Sequence, residues 1–425
     1  MLTSRVRNQL ALRINEGLFY GWVILAVGAI GIFASGPAQS HTFSVFISLI
    51  VEDLGVSHIS VSLIYAIATL VASLFLAYVG KAMDRYGVST VFLCVSVLFG
   101  LSVIAFGHVT NILMLGLAFV VLRFLGQGSL MLCCNNMVAH WFDRKRGLAM
   151  GLMGLGWAAT IAIHPPFAQW LIEQVGWRDA WLWLGLTTWL ILLTLALGFV
   201  HAKPEDLGLN PDGVVPDTDP GTANNSQDTA NVGLSLRQAL GTVSFWIIAL
   251  ALASFSMLVT GMFFHQVLVF KAQGLDVHTA TRVFSISAMA MVASMPVLGR
   301  MLDRFSPQRV FAGALLTMSA ALLSMAFVYN MTTAVVYSVL FGITNASIHT
   351  HANFFWPLFF GRKHLGSIQG AGQTIVLVAA SLGPLPLAIA YDKYQSHTGI
   401  LMLLSVLPMV CAVLVLLMKP PDLSE

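Results

Sequence analysis

The chain has 425 residues, 57% of them hydrophobic and 9% charged, with a net charge of +3 and a mean hydropathy of +0.83. A soluble core would carry about a quarter charged residues, so the solvent for most of this chain is lipid. The basic residues are spread over short turns rather than gathered in a patch, which argues against a nucleic-acid partner. No phosphate-cradling glycine loop or nucleophile constellation points to an ATPase or an enzyme.

At the start, Arg5, Arg7 and Arg13 precede an apolar run that outlasts the ~7–15 residues of a signal peptide, so it reads as an uncleaved first span. With ~20 apolar residues per crossing, six spans are expected near residues 19–50, 59–80, 88–107, 111–139, 147–170 and 180–200. Six more are expected near 242–270, 279–299, 307–328, 332–356, 365–391 and 398–418. Gly36-Pro37 interrupts the first span and predicts a kink there. Residues 202–235 are dominated by Pro, Asp, Asn, Gly and Ser, the composition of a flexible linker. The expected organisation is all-α: an N-terminal six-helix bundle over 1–201, a cytoplasmic linker over 202–235 and a second, pseudo-symmetric bundle over 236–425. Cys94, Cys133, Cys134 and Cys411 fall in apolar spans without metal-site or disulfide spacing and read as packing residues.

Orientation follows from the turns. Sixteen of the 21 basic residues collect on one side of the membrane, in the N-terminal tail, the even-numbered turns and the C-terminal tail. The other side has Arg178, Lys271, Arg282 and Lys393, and Arg123 lies inside a span. The positive-inside rule then makes both termini and the linker cytoplasmic, in an inner (cytoplasmic) membrane.

Gly80-Lys-Ala-Met-Asp84-Arg85-Tyr-Gly87 follows span 2, and Gly299-Arg-Met-Leu-Asp303-Arg304-Phe follows span 8. Such charged turns belong where spans meet water, and two copies imply two equivalent halves. Asp84 and Asp303 can each face a helix N-terminus of the other half, a contact worth about 0.3–1 kcal/mol when exposed. It forms in one of two states, so Gly80, Asp84, Arg85, Gly299, Asp303 and Arg304 are candidate gating residues.

The Gly-xxx-Asp-Arg-x-Gly turn resembles the signature of the major facilitator superfamily. Further stretches resemble its oxalate:formate and monocarboxylate porter branch. They are His41-Thr-Phe-Ser-Val-Phe46, Trp141-Phe-Asp-Arg-Lys-Arg-Gly-Leu-Ala-Met-Gly151, Gly176-Trp-Arg178, Lys203-Pro-Glu-Asp-Leu-Gly-Leu209 and Phe360-Gly-Arg-Lys-His-Leu-Gly366. The resemblance covers nearly the whole chain and implies alternating access between two bundles. It departs at Ser89, where the family commonly has a basic residue. In span 8, Met291 and Met295 precede Pro296-Val-Leu-Gly299 in place of the branch's aspartate and carboxylate-binding arginine. Span 11 reads Gln369-Gly-Ala-Gly-Gln373-Thr374 without the oxalate porters' lysine.

None of the 18 acidic residues falls at the middle of a span. The titratable candidates inside spans are His41, His164, His265, His349 and His351, and histidine titrates near pH ~6.5. The fixed charge Arg123 must face protein or water, since arginine in hydrocarbon costs ~2.5 kcal/mol or more. It either shapes the cavity or braces span 1 around Pro37. Span 10 carries Asn345, Ser347, His349 and His351, of which Asn345 and His349 share a face. His349-x-His351 lacks neighbouring carboxylates or thiolates, so no metal is expected. The expected substrate-binding set is Gln39, His41, Arg123, Gln127, Trp157, Phe264, His265, Asn345, His349 and Gln373.

These residues predict a monomeric secondary transporter with no cofactor, whose partners are membrane lipid, a small-molecule substrate and a coupling proton carried by His349, His265 or His41. The missing charges favour a neutral, hydrogen-bonding ring compound such as a vitamin of the riboflavin type. Family analogy favours a monocarboxylate or dicarboxylate, with Arg123 as counter-charge. A reading of another class is a non-transporting solute sensor.

Overall fold

Span 1 breaks where its proline predicts. Helix Gly21–Ala34 stops at Ser35, a 3-10 turn takes Gly36–Ala38, and a second helix runs Ser40–Leu54. Pro37 has no N–H to give the helix ladder, and Gln39 is extended with φ −96° and ψ 148°. The computed structural model describes residues 2–143, 145–201, 203–213, 233–361 and 364–419. For residues 2–6, Asp303, His349, Asn353 and Gly366 it describes the backbone alone.

The later crossings follow the apolar runs. Span 2 is His58–Leu74 and Leu76–Tyr86, with a break at Phe75 that the sequence did not announce. Span 3 is Val88–Phe106. Span 4 is Ile112–Leu122 and Met131–Trp141, joined through π-helical turns at Arg123–Leu130. Spans 5 and 6 share one helical stretch, Arg146–Gly198, that turns at Gly176 with φ 81° and ψ 164°, backbone that glycine alone adopts cheaply.

Spans 7 to 10 are Val243–Ala272, Val277–Arg304, Pro307–Ala326 and Met331–Phe360. Span 11 is Leu365–Leu382 with Pro384–Tyr394, and span 12 is Thr398–Leu417. A helix before the first span, Leu2–Asn15, was not expected from the sequence. The fold is thus all-α, with twelve membrane crossings in two pseudo-symmetric sets of six. Among the described residues the one strand-like feature is an antiparallel bridge between Gly233 and Gly361. Of the expected linker, residues 202 and 214–232 lie outside the described residues. Pro204–Leu207 and Pro211–Gly213 form single 3-10 turns.

The chain divides into two compact units, Met1–Val56 with Ile67–Asp217, and Ser57–Ala66 with Thr218–Glu425. The first unit packs span 1 on span 5 and span 3 on span 6. The second unit repeats the pattern with span 7 on span 11 and span 9 on span 12. Both versions of the first crossing depend on a missing side chain: a Cβ at Gly156 would strike the backbone of Ala29, and one at Gly383 the backbone of Met257. In lipid, where apolar surface gains little by leaving the solvent, such close backbone approach is a main source of helix association.

Aromatic packing fills what the small residues leave. In the first unit Trp181 lies 4.2 Å from Phe106 and 4.6 Å from Phe46, ring centroid to centroid, and Phe43 stands edge-on to Phe119 at 5.0 Å. Each such pair adds about 0.5–1.5 kcal/mol beyond area burial. Large apolar side chains such as Leu113, Leu190, Leu403 and Leu417 are exposed, as a lipid-facing surface requires. Cys133, Cys134 and Cys411 are buried packing residues, whereas Cys94 is exposed.

Two of the stretches that carry the resemblance, Gly176-Trp-Arg178 and the one from Trp141 to Gly151, act as fasteners. Arg178 donates from Nη1 to the carbonyls of Gly107 and Val109, at 2.9 and 2.8 Å, pairs with Asp53 and lies over the Trp177 ring. It thereby holds the turn after span 3 and the end of span 1. Trp141 donates from Nε1 to the His201 carbonyl at 3.1 Å, and Arg146 donates to the carbonyls of Ala139 and Phe142 at the end of span 4.

Candidate functional site

In the first unit two irregular segments meet. The 3-10 turn of span 1 packs on the π-helical turns of span 4 and on span 5. Both interrupt the ordinary ladder, which at membrane depth is tolerated where the backbone is buried in protein or lines a cavity. The freed groups of span 1 are met locally. Thr42 Oγ1 donates to the Gly36 carbonyl at 2.7 Å, Ser35 Oγ donates to the Ile32 carbonyl at 2.7 Å, and Gln39 Nε2 donates to Ser35 Oγ at 3.0 Å. In span 4, Ser129 Oγ donates to the Phe124 carbonyl five residues back, at 2.7 Å. π-Helical turns of this kind concentrate at functional sites.

Arg123 opens the π-helical segment and is 4% exposed. Its Nε donates to Thr69 Oγ1 and its Nη1 to the Ala38 carbonyl, both at 3.2 Å. The guanidinium therefore braces span 1 beside Pro37, one of its two expected roles, and ties spans 1, 2 and 4 together. His41 is fully buried and stands edge-on to Trp157, with centroids 5.8 Å apart. His164 faces the same break from span 5, bonded to Thr160 Oγ1 at 2.9 Å with its ring 4.7 Å from Phe33. Gln127 is half-buried, and its buried Oε1 has no hydrogen-bond partner among the described residues. Gln39, His41, Arg123 and Trp157 thus gather around one helix break, with Gln127 on the adjoining π-helical segment.

The second unit holds the rest. Phe264 is fully buried, 4.5 Å from the ring of Tyr65. His265 bonds through Nε2 to the Pro384 carbonyl at 3.0 Å and lies 3.4 Å from Ser62 Oγ. Asn345 turns back on its own helix, donating from Nδ2 to the Phe341 carbonyl at 2.8 Å. His351 does likewise, with Nδ1 bonded to the Ser347 carbonyl at 2.7 Å and its ring stacked on Phe311. The hydrogen bond runs within span 10 rather than to a neighbouring helix, because the i−4 carbonyl is within reach of a buried side chain. Gln373 is exposed on span 11, and the His349 side chain lies outside the described residues.

At the charged turns, Asp84, Arg85 and Arg304 are exposed, and Arg85 lies over the Tyr86 ring at 5.2 Å. The Asp303 side chain lies outside the described residues. Beyond the local backbone of its own helix, no described atom comes within 4 Å of where a Cβ would stand at Gly80 or Gly299, so neither glycine is demanded by close packing in this conformation.

Sequence reasoning missed Thr69, His58, Asp392 and His397. Nothing in the sequence sets Thr69 apart from the other hydroxyls of span 2, and the other three lie at span ends, where polar residues are ordinary. Outside the spans, burial pushes the His201 imidazole below its usual range. Hydrogen bonds from Thr279 hold the Asp276 carboxyl, which caps span 8, below the usual carboxylate range.

The model of the Major Facilitator Superfamily matches residues 23–384 and 248–425. The uncharacterized MFS-type transporter YhjX of Escherichia coli (strain K12) is 24% identical over 68% of this chain and 68% of its own length. The cis,cis-muconate transport protein of Acinetobacter baylyi is 31% identical over 23% of this chain and 24% of its own. A crystal structure of a mutant nucleoside transporter NupG covers 93% of this chain and 99% of its own, with a TM-score of 0.71 and 11% identity, a likeness of fold alone. Since the family model spans most of the sequence, this chain belongs to the Major Facilitator Superfamily, as a multi-pass membrane transporter of small organic molecules and not an enzyme.

Proposed function

We propose that the protein takes up a small organic anion, a carboxylate or related oxyanion, across the cytoplasmic membrane by alternating access with proton symport. The observation that carries this reading is the buried guanidinium of Arg123 beside the span 1 break, in a chain with no acidic residue at the middle of any span. A fixed positive charge without a fixed negative one biases a cavity toward anions. The muconate relative, a dicarboxylate transport protein by its name, supports the same class. Gln39, His41, Gln127 and Trp157 supply hydrogen bonds and an aromatic wall from residues 1–201. Phe264, His265, Asn345, His349 and Gln373 complete the proposed substrate-binding set from residues 236–425, and 202–235 links the halves. Gly80, Asp84 and Arg85, with Gly299, Asp303 and Arg304, are the cytoplasmic gate of a monomer whose termini both face the cytoplasm.

A second reading has its own observation. Two donors of Arg123 are committed to Thr69 and Ala38, which suits a structural brace and a neutral, hydrogen-bonding ring compound of the riboflavin type. A thermal-shift screen of the purified protein against small carboxylates and neutral ring compounds separates the two, because a ligand of the folded state raises apparent stability. Stabilisation by carboxylates that Arg123→Gln abolishes is the expected result. Stabilisation by neutral rings that survives Arg123→Gln would replace it with the second reading. Proteoliposome uptake of the compound so found should fall when the proton gradient is collapsed, and undiminished uptake would remove proton symport.

A further inference from the structure

Three histidines that the transport reading does not combine converge in the second unit, at the end of the spans opposite the Gly80 and Gly299 turns. His58 opens span 2, His265 lies in span 7, and His397 precedes span 12. The Asp392 carboxylate, near the end of span 11, accepts the His58 Nδ1–H at 3.0 Å on one oxygen and the Ile59 backbone N–H at 2.9 Å on the other. It therefore holds the first turn of span 2 through both the side chain and the positive end of the helix. The rings continue the cluster inward. His58 stands edge-on to Tyr391 at 4.9 Å, Tyr391 stacks on His397 at 5.0 Å, and His397 lies 6.1 Å from His265.

The unusual feature is what these imidazoles lack. His397 is 2% exposed and His265 is fully buried. Yet both ring nitrogens of His397, Nδ1 of His265 and Nε2 of His58 are buried without a hydrogen-bond partner among the described residues. Buried polar groups are normally paired, and unpaired ones call for an explanation such as an exchangeable ligand. A metal ion is not that ligand, because no described group of three His, Cys, Asp or Glu side chains is placed to hold one.

We propose that His58, His265, His397 and Asp392 form a proton-binding site whose filling releases the start of span 2 from Asp392. The charge count gives the direction. The elements packed here bring His58 and Tyr65 from span 2, His265 from span 7, Tyr391 and Asp392 from span 11, and His397 before span 12. Lys393 beside them is exposed. One carboxylate balances one imidazolium, and that carboxylate is already bonded to His58. A further proton, on His397, finds no second carboxylate among the described residues of the cluster and is repelled by the first proton at close range. Burial, reinforced by His58, accordingly holds His397 down to about 4. Opening to water lets the His397 ring charge near its ordinary range, so acid favours the open arrangement by linkage. The positive-inside expectation puts this end outside, where it would read the acidity of the external medium. The inference requires neither a particular substrate nor proton symport.

Hydrogen–deuterium exchange of the full-length protein in detergent, corrected for intrinsic rates, tests it on peptides covering residues 57–66 and 384–397. Protection should fall on the order of tenfold between about pH 7.5 and about pH 5 in the wild type. His397→Phe keeps the stack on Tyr391 without the titration and should stay protected at the lower pH, as should His265→Gln. Asp392→Asn should be open at both. His351→Gln, outside the cluster, should open with acid as the wild type does. If His265→Gln fails to fold, His397→Phe decides alone. Wild-type protection equal at both pH values, acid opening undiminished in His397→Phe, or full protection of Asp392→Asn at the higher pH would each overturn the proposal.

Discussion

At the scale of single residues, the costliest group in the first unit is the Arg123 guanidinium, and the structure shows how its cost is met. Arginine at membrane depth is tolerated when its donors are answered, and here Thr69 Oγ1 and the Ala38 carbonyl answer two of them. Thr69→Val keeps the shape and removes one acceptor, leaving a buried charged donor short of a partner. The expected loss is about 1–3 kcal/mol, the usual penalty for an orphaned buried donor, and it should appear as a lower melting temperature in detergent. Thr69→Ser, which restores the hydroxyl, should recover most of it. Equal melting of Thr69→Val and wild type would show that the brace is dispensable. The same bond explains what the sequence could and could not convey. Arg123 stands out because a charge interrupts an apolar run. Thr69 does not, since its partner lies 54 positions away and hydroxyls are common in spans.

At the scale of elements, the crossings were legible because each is an apolar run of membrane length between polar turns, and the break at Pro37 was legible because proline cannot complete the ladder. Three irregularities were not. The interruption at Phe75, the π-helical turns of Arg123–Leu130 and the extra helix Leu2–Asn15 carry no local signal as plain as a proline. The contact of Asp392 with the start of span 2 was equally hidden. The sequence drew attention to Asp84 and Asp303 for carboxylate-to-helix contacts, and a described contact of that kind to a distant span is made by Asp392. The glycines give the element scale its own prediction. Gly383→Ala places a methyl group against the Met257 backbone and should cost about 1–3 kcal/mol as overpacking. Gly151→Ala sits in span 5 where nothing lies within 4 Å of the new carbon. It should be neutral or stabilising by about 0.5–1 kcal/mol, because alanine is the better helix former. Parallel melting curves check both, and equal effects at the two sites would mean that the span 7 and span 11 crossing has room to relax.

At the scale of the whole molecule, buried histidines outside the membrane segments set how the fold responds to acid. His201 belongs to the first unit and His397 to the second, and burial is the largest cause holding each below its ordinary value. The sign follows from linkage. A histidine whose folded pKa is depressed binds fewer protons folded than unfolded throughout the interval between its two pKa values, so stability rises with pH across that interval. For His397 the interval runs from about 4 in the folded protein to about 6.5 in the unfolded chain. Its contribution is therefore complete above the upper limit and is lost as pH falls toward the lower one, at up to about 1.4 kcal/mol per pH unit for one group. His201 is shifted in the same direction and adds to the loss. The Asp276 carboxyl is depressed in turn, so its contribution disappears only in stronger acid, through its own lowered pKa. The melting temperature of the detergent-purified chain should thus be level above about pH 6.5 and fall steadily below it, since the unfolded imidazoles begin to charge there. His397→Phe should make that fall shallower without lowering the level region, because the ring stack on Tyr391 is kept and one titration is removed. A melting temperature that rises on acidification, or a slope unchanged in His397→Phe, would mean that these imidazoles are not held neutral by the fold.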